Sequence, residues 1–261
     1  MPRALFLIAL ACTALLALPV QAQVFATPGQ VVANTHGIDA THNALLDRLD
    51  ATMRVDPAAR DAESIAQLLQ IAADAEVWRA GLGGNRAQEV VAIDLIGSVY
   101  ALAAFRLGRD GYDEETFEQL LEYRQRALAN LRISVRESPE DQRPIMDYRD
   151  IAERLTEMAH YAQLPQAEEW SAEWLAAERL VAEAMRELRD APAMNLARAL
   201  NAHGWLTSDA ALLAEAEAIY TSAPDQMGWR LQMQLDAMAA GIAPYNAPGE
   251  QFFFYRAQPG D

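Results

Sequence analysis

Glu157 and His160 stand three residues apart, a spacing that puts a carboxylate and an imidazole on one helix face, as in di-iron carboxylate bundles; Asp39 and His42 echo it loosely. Such a bundle needs a further carboxylate on a helix ahead of the first motif. Residues 23–38 contain no Asp or Glu, so a metal-handling protein is the least favoured reading and no cofactor or metal is expected. Asp94 is a stronger candidate, because it sits amid Val90, Val91, Ile93, Leu95, Ile96 and Val99. A carboxylate there is either buried against a partner or open on a cleft floor, since burial alone would raise its pKa steeply. The expectation is burial beside an arginine. Arg79 and Arg86 flank the glycine loop 81–85, which leads into a helix amino terminus whose amides can hold an anion. Trp170 and Trp174 lie one turn apart, as an aromatic ligand platform or a packing stripe would, and packing is favoured. These five residues, Asp94, Arg79, Arg86, Trp170 and Trp174, are the candidate ligand-binding set; none is assigned a catalytic role.

Other chemistries are absent. All 21 basic residues are arginine, which excludes Schiff-base and other lysine chemistry. The chain has no His-Glu-x-x-His, no Gly-x-Ser-x-Gly and no phosphate-binding P-loop. Met227, Met233 and Met238 are spaced by six and five, which fits no single helical face and favours core filling over copper(I). A net charge of -16 repels phosphate backbones and anionic lipid, so nucleic acid is not an expected partner.

Residues 1–22 combine Arg3, an apolar run from Ala4 to Leu18, and small residues at Val20 and Ala22. This reads as a secretory signal peptide cut after Ala22, leaving a periplasmic or secreted chain with no membrane insertion. Lipidation of Cys12 is the competing reading; the apolar run continues past it. The mature chain would contain no cysteine, and so no thiolate, thiolate ligand or disulfide.

The elements that must position the candidates follow from periodicity. An extended arm is expected over 23–38, a helical domain over 39–241 and an aromatic tail over 242–261. Leu45, Leu46, Leu49 and Met53 mark a first helical face. A second helix runs to about Ala80, where the glycine loop ends it. Asn85 with Gln88 forms a capping box for a third helix, about 86–107, apolar enough to sit centrally. A fourth spans about 114–136. Asp141 signals a new start that Pro144 resets, and Ile145, Tyr148, Ile151, Leu155 and Ala159 form the next buried face. Further helices are expected at about 166–189, 193–203, 209–222 and 225–240, with Gly204 and Gly241 closing two of them. Phe252, Phe253, Phe254 and Tyr255 are expected to be extended, pairing with Val24 and Phe25 or docking on a partner.

A shift of 32 residues aligns LVAEAMRELRDAP (180–192) with LLAEAEAIYTSAP (212–224), identical at six of thirteen positions. A weaker third copy, ALANLRISVRESP, covers 127–139. These helices, closed by a small residue and proline, resemble the second helix of a tetratricopeptide-like repeat over about residues 166–241. The family's first-helix glycine and aromatic are replaced by Leu200 and His203. The resemblance implies a concave surface that binds a peptide or protein, without catalysis.

The sequence therefore predicts an all-α fold of stacked antiparallel helical hairpins, an α-solenoid or tetratricopeptide-like superhelix, with short extended segments at both ends. The expected function is an exported scaffold for a peptide or partner protein. The alternative is a helical enzyme or small-ligand-binding protein with a cleft near Asp94, supported by Arg79, Arg86 or His160.

Overall fold

The computed structural model describes residues 40–54, 62–108, 113–139, 141–184, 191–222 and 228–244. Residues 1–39 and 245–261 lie outside them. The signal sequence, the extended arm, the aromatic run and the pairing expected of it therefore lie outside the described residues.

Among the described residues the secondary structure is helical, with no strand. The helices are α1 (Ala40–Arg54), α2 (Ala62–Gly81), α3 (Arg86–Gly108), α4 (Glu114–Glu137) and α5 (Gln142–Ala162), followed by α6 (Ala167–Ala184), α7 (Ala191–Thr207), α8 (Ala210–Ser222) and α9 (Gly228–Ala239). Each packs on the next in sequence, and α3 also meets α5. Short connections force consecutive helices to run antiparallel, and the result is a stack of helical hairpins.

Local chemistry sets the boundaries. Asn85 accepts from the Gln88 backbone N–H at 3.4 Å and donates through its amide to the Gln88 side chain at 2.9 Å. This is a variant of the expected capping box, with the return bond made to the cap's side chain instead of its backbone. Asp113 caps α4 by accepting from Thr116 N–H at 2.8 Å. Asp141 caps α5 by accepting from Arg143 N–H at 3.1 Å. Pro144 does not reset that helix. It falls in the first turn, where its missing N–H would have had no intrahelical partner.

Gly204 does not close α7 either. It lies inside the helix, where an added Cβ would meet Leu212 Cβ and Leu213 Cγ at 3.1 Å, so its smallness lets α8 pack closely. The helix ends instead at Ser208, with φ 57° and the Asp209 N–H donating to the Gly204 carbonyl at 2.9 Å. Gly241 ends α9 as expected, with φ 66° and the Ile242 N–H donating to Ala237 O at 2.9 Å.

α3 is central because it is apolar on every side. It is long and apolar enough to cross a membrane, yet 78% of that apolar window is buried within the fold. Ile93, Ile96, Val99 and Ala103 are almost wholly buried. Arg106 on the same helix donates to the Ser64 hydroxyl of α2 and, at 2.9 Å, to the Thr52 carbonyl of α1.

The tightest approach is at Gly97, where a Cβ would lie 2.9 Å from Leu131 Cγ of α4. Helix propensity alone would make Gly97→Ala stabilising by about 1 kcal/mol. Overpacking costs about 1–3 kcal/mol and is expected to win, so this variant should unfold at a lower temperature than the parent. A higher melting temperature would show that α3 and α4 are not this close.

Candidate functional site

The candidate site is built on α5, the helix that α3, α4 and α6 all touch. Its apolar stripe, Ile145, Tyr148, Ile151, Leu155 and Ala159, is buried as expected. With neighbours on several sides, its charged flanks are covered as well. Asp147, Arg149 and Glu157 are each less than a tenth exposed.

At the amino-terminal end of α5, Asp94 of α3 is 6% exposed and forms an ion pair with Arg143. This is the buried arginine partnership expected from the sequence. Ser134 of α4 donates to Asp94 Oδ1 at 3.2 Å. The same guanidinium reaches Asp147 Oδ2 at 3.5 Å and donates to Ser98 Oγ at 2.9 Å, while Ser98 donates to Asp147 at 3.3 Å. One cation thus serves two interior carboxylates and a hydroxyl. Burial, opposed mainly by Arg143, pushes the Asp147 carboxyl up to about 7. Burial also lowers Arg143 from its ordinary value.

Towards the carboxyl-terminal end, α5 meets α6, and Arg198 of α7 joins the cluster. Arg154 pairs with Glu157 Oε2 at 3.0 Å, Arg198 with Glu153 at 2.8 Å, and Arg149 donates through Nε to Asp150 at 2.8 Å. Glu178 of α6, wholly buried, accepts from the Trp174 indole at 3.2 Å and lies 3.8 Å from Arg149. Arg198 also stacks over Trp174 at 5.6 Å. Burial raises Glu153, but Arg198, Arg154 and Arg149 outweigh it and hold the carboxyl below its ordinary value.

The five sequence candidates fall at three places. Asp94 lies in the α3–α5 interface. Trp170 and Trp174 are 4% and 1% exposed within α6, so both rings belong to the core. Arg79 and Arg86 remain at the α2–α3 loop. There Arg79 lines a shallow groove with Gly83, Gly84, Asn130 and two carboxylates, Glu76 and Glu89. Arg86 is held by Glu137 at 2.7 Å and Glu89 at 3.3 Å. An anion in that groove would meet Arg79 beside two carboxylates, while Arg86 is already engaged by Glu137 and Glu89.

His160 stacks edge-on against Tyr161 and Trp205 at 5.5 and 5.8 Å, while Glu157 points its paired oxygen at Arg154. His42 packs on the Trp78 ring at 5.3 Å. Among the described residues no three His, Cys, Asp or Glu side chains are grouped to hold a metal ion.

Arg143, Asp147, Glu153, Glu178 and Arg198 escaped the sequence reading. The only trace of them was the spacing of Arg143 four residues before Asp147, which an exposed helix face shows equally well.

No family model, no curated protein and no solved structure matches the chain.

Proposed function

We propose that the mature protein is an exported helical-repeat scaffold, tetratricopeptide-like in character, that binds a peptide or partner protein and performs no chemistry on it. The supporting observation is the charged row along α5. Arg143, Asp147, Asp150, Arg154 and Glu157 follow one side of the helix at steps of four, three, four and three. Arg143, Asp150 and Arg154 keep 24%, 31% and 29% of their side chains open. The row is roughly 21 Å long at the helical rise, which matches about six residues of extended peptide. Its open members offer donors at Arg143 and Arg154 and an acceptor at Asp150, the two kinds of partner that a peptide backbone needs. The net charge of -16 favours a cationic partner.

A photo-crosslinking residue at position 150 or 154, in the producing cell, is expected to capture a discrete partner that the same residue at position 77 on α2 does not. Asp150→Asn, which keeps the size and leaves the Arg154–Glu157 pair in place, should weaken capture while the helical circular dichroism persists. Equal capture at position 77, or none at either site on α5, would overturn the reading. Export has its own test: the intact mass of protein recovered outside the cytoplasm is expected to begin at Gln23. A mass carrying lipid on Cys12 would place the chain on a membrane.

A further inference from the structure

We propose that the junction of α5, α6 and α7 is a proton-binding site that couples the docking of α6 on α5, bridged from α7 by Arg198, to pH. The argument begins with charge parity. Among the described residues, the junction brings together four carboxyls, Asp150, Glu153, Glu157 and Glu178, and three guanidiniums, Arg149, Arg154 and Arg198. Each arginine has a nearer acid, Asp150 for Arg149, Glu157 for Arg154 and Glu153 for Arg198, and Glu178 is left with a 3.8 Å second claim on Arg149.

Satisfaction of the oxygens points the same way. Among the described residues, Glu157 Oε1 and Glu178 Oε2 are buried without a hydrogen-bond partner. An interior carboxylate oxygen with no donor is costly, and a proton removes the surplus charge. One proton, on either Glu157 or Glu178, balances the charges of these seven groups. Its release leaves an uncompensated negative charge where α6 rests on α5 and Arg198 reaches across from α7.

The groups facing these two carboxyls are Glu153, Arg149 and Arg154 from α5, Trp174 from α6 and Arg198 from α7. The polar groups that α3 and α4 aim at α5 and α6 act elsewhere, Asp94, Ser98 and Ser134 around Arg143 and Asp147, and Arg132 on Glu173. His203, on α7, bonds Ser171 of α6 at 2.8 Å. Burial, opposed by Arg154 at Glu157 and by Arg149 at Glu178, pushes both carboxyls up to about 7. The inference concerns the fold and stands whether or not a peptide occupies the row on α5.

Carboxyl-carbon NMR of the intact mature chain tests it directly. At least one of Glu157 and Glu178 is expected to titrate within about a unit of pH 7, well above the ordinary glutamate value. Amide hydrogen exchange, corrected for its intrinsic pH dependence, should show protection in α6 and α7 falling tenfold or more between pH 5.5 and 8. Protection in α1 to α3 should change far less. Glu157→Gln with Glu178→Gln should remove that pH dependence. Normal titration of both carboxyls, pH-independent protection in the parent, or full pH dependence in the double variant would each overturn the proposal. The carboxyl titration is read on the unsubstituted chain and does not depend on the variant folding.

Discussion

Arg143→Ala is expected to lower stability by about 3–5 kcal/mol, or roughly 6–20 °C in melting temperature for a chain of this size. The substitution leaves Asp94 and Asp147, 6% and 7% exposed, in the interior without their shared cation. Ser134 and Ser98 would still donate one hydrogen bond each, which offsets only part of the cost of two buried charges. Asp94→Ala should cost less, because Arg143 retains Asp147. Arg143→Lys should recover only part of the loss, since a single ammonium cannot match the fork that meets Asp94 on one arm and Ser98 with Asp147 on the other. Adding Asp94→Asn and Asp147→Asn to Arg143→Ala should restore more than half of the lost stability by removing the orphaned charges. Thermal unfolding of the set decides it. A change of less than a degree in Arg143→Ala would mean that the two carboxylates reach solvent.

The second large effect is a stability maximum on the acid side of neutrality. Asp147, Glu157 and Glu178 are each pushed up to about 7 by burial, against ordinary values of 3.8 for Asp and 4.5 for Glu. Between those ordinary values and about 7 the folded chain binds more protons than the unfolded chain, so raising the pH destabilises it. Their contribution is complete below about pH 4 and is lost as the pH climbs through about 7. Glu153 has the opposite sign. Its lowered pKa gives stability that is present above its ordinary value of 4.5 and lost as the pH falls through the folded value, outside the first window. Because these three carboxyls share arginines, their effects do not add fully, and a net loss on the order of 3 kcal/mol from pH 5 to pH 8 is expected. Melting temperature should therefore fall by roughly 6–12 °C over that range. Asp147→Asn, Glu157→Gln and Glu178→Gln should each flatten the profile. A melting temperature that holds steady or rises from pH 5 to pH 8 would contradict this account.

Much of the fold was legible in the chain because its signals are local. The expected third helix ends within one residue of the observed Arg86–Gly108, and the fourth likewise at Glu114–Glu137. A cap or glycine lies at each boundary, and an apolar period runs between. The two misplaced signals, Pro144 and Gly204, carry two meanings each. A proline breaks a helix interior yet is tolerated in a first turn. A glycine ends a helix or admits a neighbour, and only the position of α8 distinguishes the two. The 32-residue repeat is similarly divided by its context. Leu180 is the fourteenth residue of α6 (Ala167–Ala184), whereas Leu212 is the third of α8 (Ala210–Ser222), and residues 185–190 fall outside those described.

By itself, then, the sequence determined the all-helical class, the order of the hairpins, the central place of α3 and the need of Asp94 for an arginine. Each follows from spacing along one helix or from the cost of a lone charge in an apolar run. Only the tertiary structure decided which arginine answered, forty-nine residues away on α5, and that Glu178 and Glu157 would be enclosed. Burial of a polar flank depends on how many neighbours a helix acquires. The sequence of α5 shows an ordinary amphipathic helix with charged sides, and the packing of α3, α4 and α6 around it encloses Asp147, Arg149 and Glu157 while leaving Arg143, Asp150 and Arg154 partly open.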